Sequence, residues 1–312
     1  MASPPSSPGN GDQPESAPED SSAPSSSSPH HKMSPRNRAL IFVTAWLIVL
    51  MPFLFWWNTW FGRRLPERQI SEYLQDEKHP RHIQHALVQL GERMARHDPA
   101  ATRWYPDLIR LAAHPVEEVR NTDAWVMGQD TSGSGFHEVL SNMLNDPSPM
   151  VRGNAALSLV RFGDAAGRAQ IVALLLPARI VAPTAGRVTE TDKVGTSIHH
   201  GGLIAKLQID PSAIASQNGQ QSTELRSPIS GRIRTLSVAP GSTVLAGAEV
   251  ATVDPGDEQV WEALRALYII GQPDDLPAIR PYERELPEVS SRVRRQALLT
   301  ERSIRDRATA LP

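Results

Sequence analysis

The residues best suited to chemistry in this 312-residue chain are histidines, and three of them, His79, His82 and His85, recur at intervals of three. Pro80 suits the first turn of a helix, where its missing N–H costs nothing. On that helix His82 and His85 share a face and present two imidazoles of the kind that bind zinc. No Asp or Glu occupies the matching turn to complete a ligand set, so the spacing reads as a solvated helix face. His199-His200 falls in a glycine turn and His30-His31 in a Ser/Pro-rich segment; both pairs are expected to face solvent. Gly133-Ser134-Gly135 reads as a short inter-helix loop, and no Gly loop followed by Lys-Ser/Thr is present to cradle a phosphate. The chain has no cysteine, which removes disulfides, zinc–thiolate sites and thiol nucleophiles. No catalytic, cofactor-binding or metal-binding residue is assigned. The expectation is a chain that is not an enzyme and holds no cofactor. A net charge of -2 and a pI near 6.6 give no field that would recruit nucleic acid.

Such a chain must act through its surfaces, and the elements that build them follow from internal repeats. Pro115-Val116-Glu117-Glu118-Val119-Arg120 precedes Ala124, and about 32 residues later Asp146-Pro147-Ser148-Pro149-Met150-Val151-Arg152 precedes Ala155 and Ala156. Fainter copies start at Pro80, at Asp254-Pro255 and at Pro287, the last leading to Val293-Arg294-Arg295-Gln296-Ala297. Asp146 can cap the first turn. Val151, Ala155 and Leu159 then form one apolar stripe, and Ala lets a neighbouring helix come close. Second helices follow over Phe136 to Leu144 and Ala169 to Leu176. One such pair cannot bury both faces; stacked pairs can.

This pattern resembles HEAT-like repeats of the phycobilisome-lyase type over 70–177 and 256–308, with the best copies at 114–145 and 146–177. The resemblance implies an α-solenoid in which Arg120, Arg152 and Arg294 stitch adjacent repeats.

Between Pro177 and Pro255 the helical period stops. Ala182-Pro183-Thr184-Ala185-Gly186-Arg187-Val188, then Gly195 to Gly201, then Ile204-Ala205-Lys206-Leu207 recur about 45 residues on. The second set is Ser227-Pro228-Ile229-Ser230-Gly231-Arg232-Ile233, Gly241 to Gly247 and Val250-Ala251-Thr252-Val253. Each half reads as short strands joined by glycine turns, with Gly186 and Gly231 expected to hold tight turns. The doubled pattern over 178–254 resembles the biotinyl/lipoyl-like barrel-sandwich hybrid. In carriers of that family a Lys between the halves is modified with lipoate or biotin. Here the joining segment from Gln208 to Arg226 has no Lys, Lys206 lies in the preceding strand, and Glu190-Thr191-Asp192-Lys193 stands before the first glycine motif. No modification is expected.

Residues 1–36 are Ser/Pro-rich and are expected to be disordered. From Ala39 to Trp57 there are 19 residues without a charge, or about 29 Å as a helix, which predicts a transmembrane helix over 39–57. Trp56, Trp57, Trp60 and Phe61 would form an aromatic belt. Lys32, Arg36 and Arg38 before the span balance Arg63, Arg64 and Arg68 after it, so charge does not orient it. Span and unmodified β-domain together are similar to membrane-fusion (periplasmic adaptor) proteins, although the link Ile209 to Leu225 is too short for their long helical hairpin. The resemblance implies a single-pass inner-membrane scaffold with extracytoplasmic C-terminal domains. Its partners would be the bilayer and other proteins, an inner-membrane transporter among them. The alternatives are a carrier subunit of a biotin- or lipoate-dependent enzyme and a cytoplasmic-facing docking platform. In the last helix, about 289–308, Arg294, Arg295, Arg302 and Arg305 gather beside an apolar face and read as the polar cap of the solenoid.

Overall fold

The computed structural model describes residues 35–60, 65–209 and 221–310, with side chains described from Ile41 onward except at 54–64. The chain divides after Arg63 into two units.

In the first unit a single helix, α1 (Pro35–Trp60), continues through Pro52. Among the described residues no helix is long and apolar enough to cross a membrane. The transmembrane helix expected at 39–57 is corrected accordingly, and with it the single-pass inner-membrane location and the extracytoplasmic placement of the rest. The chain is instead a helical solenoid carrying a small antiparallel β-unit. The expected Ser/Pro tail up to residue 34, His30-His31 and the aromatic belt lie outside the described residues or side chains.

In the second unit the helices form two layers. One layer holds the shorter α2 (Glu67–Leu74), α4 (Tyr105–Leu111), α6 (Phe136–Met143), α8 (Arg168–Ala173) and α10 (Leu276–Ile279). The other is a row of longer helices in lateral contact: α3 (Pro80–Ala95), α5 (Glu117–Met127), α7 (Pro149–Arg161), α9 (Asp257–Ile270) and α11 (Ser291–Ala310). Proline sits in the first turn of α3 and α7. Ser148 caps α7, its Oγ accepting from the amides of Met150 and Val151. Small residues set the spacing within the row. Ser158 Oγ donates to the Ala124 carbonyl at 2.8 Å, and Thr300 Oγ1 donates to the Leu264 carbonyl at 2.9 Å. A Cβ at Gly128 would stand 2.4 Å from Ser158 Oγ.

The repeat arginines divide their work. Arg120 grips Asp146 of the next repeat through two parallel bonds, Nε–Oδ2 at 2.7 Å and Nη2–Oδ1 at 3.0 Å, and also donates to the carbonyls of His114 and Pro115. Burial pushes the Asp146 carboxyl up, but the bonds from Arg120 and from the Ser148 amide outweigh it and hold the group below its ordinary range. Losing either partner of this part-buried pair costs about 1–3 kcal/mol. Arg152 holds the turn of its own repeat through the carbonyls of Asp146 and Pro147, and Arg294 pairs with Glu285 at 2.9 Å. Of the three, Arg120 joins its own repeat start to Asp146 across the repeat boundary.

The strands between α8 and α9 are β1 (Ala178–Val181), β2 (Gly186–Thr191), β3 (Ser197–Ile198), β4 (Leu203–Ile209), β5 (Ser222–Arg226), β6 (Gly231–Leu236), β7 (Thr243–Val244) and β8 (Glu249–Pro255). They pair into two four-stranded sheets, β1-β8-β6-β3 and β5-β4-β2-β7. Adding four to each strand number, with β5–β8 returning to β1–β4, turns one order into the other. Each sheet therefore borrows strands from both sequence halves, the consequence of a doubled sequence folding about a quasi-two-fold axis. The bulge between Val188 and Glu190 recurs between Ile233 and Thr235. The left-handed glycines are Gly195, Gly201, Gly241 and Gly247, with φ between 74° and 90°.

Gly186 and Gly231 do not hold tight turns with positive φ; they start β2 and β6 at points of close backbone approach. A Cβ at Gly186 would lie 2.4 Å from the Gln208 carbonyl oxygen, and one at Gly231 would lie 1.7 Å from that of Asp254.

The insertion leaves the solenoid continuous. Ala156, Val160, Ile171, Leu174 and Leu175 share one buried cluster with Val260, Ala263, Leu264 and Leu267. Gln259 Nε2 donates to the Leu174 carbonyl at 2.9 Å and the Tyr282 hydroxyl to the Leu175 carbonyl at 2.6 Å. The β-unit has its own core, including Val188, Leu207, Ile233 and Val253, against which Met150 of α7 packs.

Candidate protein-interaction surface and a histidine–aspartate cluster

The row α5, α7, α9 and α11 carries a groove of about 520 Å³. Apolar side chains left open to solvent line it: Trp125, Tyr268, Ile269 and Leu299 are 38%, 46%, 60% and 50% exposed. Trp125 is held in place from below, since the position of a Cβ on Gly91 lies 2.7 Å from the indole. Charges of both signs rim the groove: Arg161, Glu262 and Arg265. Along its floor Asn154 Nδ2 donates to Asn121 Oδ1 at 2.8 Å, linking α7 to α5. An aromatic and aliphatic strip with a mixed polar rim has the composition of a protein-binding surface.

A second cleft, of about 970 Å³, lies between the β-unit and the segment leading to α11, with Val194, Arg232, Tyr282, Leu286 and Val289 on its walls. Arg234 and Asp254, also on its walls, pair at 2.6 Å.

The histidines are arranged differently from the expectation. His82 and His85 follow one another along α3, but His85 meets Gln89, whose Nε2 donates to its Nε2 at 3.0 Å. The residues brought together are Asp76, His79 and His82. Asp76 lies in the turn between α2 and α3. Its Oδ2 accepts from His82 Nδ1 at 2.8 Å, and both its oxygens lie 2.9 Å from His79 Nδ1. The bond from His82, and then that from His79, hold the Asp76 carboxyl below its ordinary range. A carboxylate six residues before His82 escapes a search confined to one helix face; the signal that reveals it is the tight turn Asp76 to His79, closed by the His79 amide on the Asp76 carbonyl at 3.0 Å.

His199 is exposed as expected, whereas His200 is half-buried. Its Nε2 lies 3.2 Å from Glu117 Oε1, and that same oxygen accepts from Ser148 Oγ at 2.5 Å. Serine and histidine thus meet one carboxylate oxygen and not each other, so this is a clasp between the β-unit and the helix starts of α5 and α7, not a nucleophile with its base. Lys206 lies on β4; the segment 210–220 between the halves lies outside the described residues.

Among the described residues several buried side-chain oxygens have no hydrogen-bond partner. Asp123 in α5 is fully buried, and neither carboxyl oxygen has a hydrogen bond. Burial pushes its carboxyl well above the ordinary range, and the positive charge of Arg110 offsets only part of that. The last helix is polar outside, and most of its arginines are engaged. Arg305 pairs with Glu301 at 2.6 Å, and Arg307 Nη1 caps α9 through the Tyr268 carbonyl at 2.6 Å.

Residues 138–166, spanning α6 and α7, match the HEAT repeat family. Among solved structures, the complex of CpcE and CpcF of phycocyanin lyase from Nostoc sp. PCC7120 is similar at 17% identity, covering 80% of this chain and 68% of that one with a TM-score of 0.40. A designed armadillo repeat protein in complex with the peptide (KR)4 is similar at 13% identity, covering 75% and 80%, with a TM-score of 0.37. A single-chain, multi-domain long-chain acyl-CoA carboxylase shares 19% identity over 35% of this chain and 10% of that one, with a TM-score of 0.22. No curated protein matches. The helix layers and the HEAT match define the class: a helical-repeat protein, of the kind that serves as a scaffold for other proteins.

The expected association with a transport or secretion complex in the bilayer depended on the span at 39–57, and is corrected together with it.

Proposed function

We propose that this protein is a non-catalytic scaffold that binds a protein segment in the groove across α5, α7, α9 and α11. The observation that carries this reading is the strip of Trp125, Tyr268, Ile269 and Leu299, kept exposed on helices whose inward faces are buried. Contiguous apolar surface with a polar rim marks an interaction site. Anchors of this kind supply most of the energy of an interface, while the rim sets orientation. The occupant is an extended or helical peptide segment with several apolar side chains, flanked by charges that complement Arg161, Glu262 and Arg265.

In the same reading the β-unit is an unmodified lipoyl-like barrel-sandwich, clasped to the solenoid through His200 and Glu117 and serving as a second docking module. Its quasi-two-fold strand order and the Lys-free joining sequence support this. A photo-crosslinking amino acid at Leu299, introduced in the cells that make the protein, should yield a discrete protein adduct. The same group at Val88, exposed on α3 outside the groove, should not. Trp125→Ala with Tyr268→Ala should abolish the Leu299 adduct and leave helical circular dichroism intact. Equal labelling from both positions, or an adduct indifferent to the double change, sinks the reading. Intact mass should equal that of the bare chain; a lipoyl or biotinyl adduct would turn the protein into a carrier subunit.

A further inference from the structure

We propose that Asp76, His79 and His82 form a binding site for a divalent cation of the zinc class. Their donor atoms all lie within 4.8 Å of one another. A tetrahedral zinc ion with bonds of about 2.0–2.1 Å sets its ligand atoms roughly 3.3 Å apart. The present separations, 2.8 Å and 2.9 Å between the imidazole nitrogens and the Asp76 oxygens, need only open by about half an ångström for an ion to replace the shared protons.

The side chains are held for this. The His82 ring stacks on Tyr73 with centroids 4.4 Å apart and planes 9° from parallel. The His82 amide bonds the His79 carbonyl at 2.8 Å, which fixes the start of α3 relative to the Asp76 turn. The donor set decides the metal. Two imidazole nitrogens and one carboxylate oxygen suit zinc, nickel or copper. Magnesium and calcium want six or more oxygens, which this turn does not offer.

Each imidazole now uses its Nδ1–H toward Asp76. On metal binding through Nδ1, the ring proton must sit instead on Nε2, where it can bond water. Three protein ligands leave one position open, for water or for a side chain of a bound partner. Within the second unit the site lies at the first repeat, where α2 packs on α3 and α3 on α5. A cation there would pin α2 to α3.

The test is competition of the full-length chain against a chromophoric zinc chelator, together with thermal melts. One zinc per chain is expected at this site, withdrawn from the chelator, with magnesium failing to compete. His79→Ala and His82→Ala should each lower affinity at least 10-fold, and Asp76→Asn should lower it about 10-fold. Zinc should raise the melting temperature of the wild type and leave that of the His79→Ala/His82→Ala double variant unchanged. His85→Ala, and separately His30→Ala with His31→Ala, should keep both the affinity and the thermal shift. Binding that survives the double variant, or that disappears with His85 or with His30-His31, overturns the assignment. So does failure to take zinc from the chelator, which would leave the cluster as two imidazoles hydrogen-bonded to a carboxylate.

Discussion

Arg168, ten residues before the first strand of the β-unit, donates through Nη1 to Oδ1 of Asp275 at 2.6 Å across a separation of 107 residues. The Asp275 side chain is 6% exposed and also accepts from the Gln272 amide. Arg168→Ala leaves a buried carboxylate with one donor fewer. It should cost about 1–3 kcal/mol, read as a lower urea midpoint with an unchanged slope. An unchanged midpoint would show that the helices on the two sides of the insertion do not depend on this pair.

The same continuity predicts the outcome of removing the insertion. Ala178 pairs with Val253 in neighbouring strands, so the chain leaves and re-enters the solenoid at nearly one point, and a short Gly/Ser link in place of 178–254 can close the gap. The expected product keeps its helical circular dichroism and melts cooperatively, because the packing of α7 and α8 on α9 is untouched. Collapse of the helical signal would mean that the two helical segments need the β-unit to meet.

Gly231 and Gly195 separate two reasons for glycine. Gly231→Ala places a methyl 1.7 Å from the Asp254 carbonyl oxygen, so β6 and β8 must part; the cost should be about 3 kcal/mol or more. Gly195→Ala meets nothing within 4 Å and suffers only from its φ of 86°, worth about 1–2 kcal/mol. Urea denaturation of both variants checks the order. If Gly195→Ala is the more damaging, the close strand approach is not what Gly231 serves.

Asp123 predicts a pH dependence. In the folded chain its carboxyl is raised by burial; in the unfolded chain it titrates near pH 4. Between those values the folded state holds a proton that the unfolded state has released, so stability falls as pH rises from about 4 through the folded value. Asp123→Asn stays neutral and should flatten this slope. Melting temperatures of the two proteins taken between about pH 4 and 8 give the test; parallel curves would mean that Asp123 finds a partner in solution.

The sequence carries the repeats and the doubled β-unit because both are written more than once. Pro just before or within the first turn, followed by Val and Arg, marks the starts near 117 and 149, and three submotifs recurring in order mark the two halves. Asp254-Pro255 likewise signals that the helices resume. Features that depend on one long-range meeting are not legible in this way. Asp76 joins His79 and His82 through a turn, not along a helix face. His200 finds Glu117 only once the β-unit is docked. Glycine at 186 and 231 is visible as a requirement, but its cause, an opposing strand, lies more than 20 residues away in each case. The apolar run from 39 to 57 shows its length in residues, and length alone does not make a span of the described helix.

The closed row of helices has a consequence for synthesis. The faces of Ala156, Val160, Leu174 and Leu175 wait for α9, which emerges from the ribosome only after the whole β-unit, roughly 80 residues later. At about 5–20 residues per second this is an interval of roughly 4–16 s. During it the half-built solenoid presents a bare greasy edge while the β-unit, with its separate core, can already mature. The nascent chain thus has a vulnerable stage that ends when α9 arrives, and a trigger-type chaperone acting on this protein should engage it there and leave once residues near 270 are out.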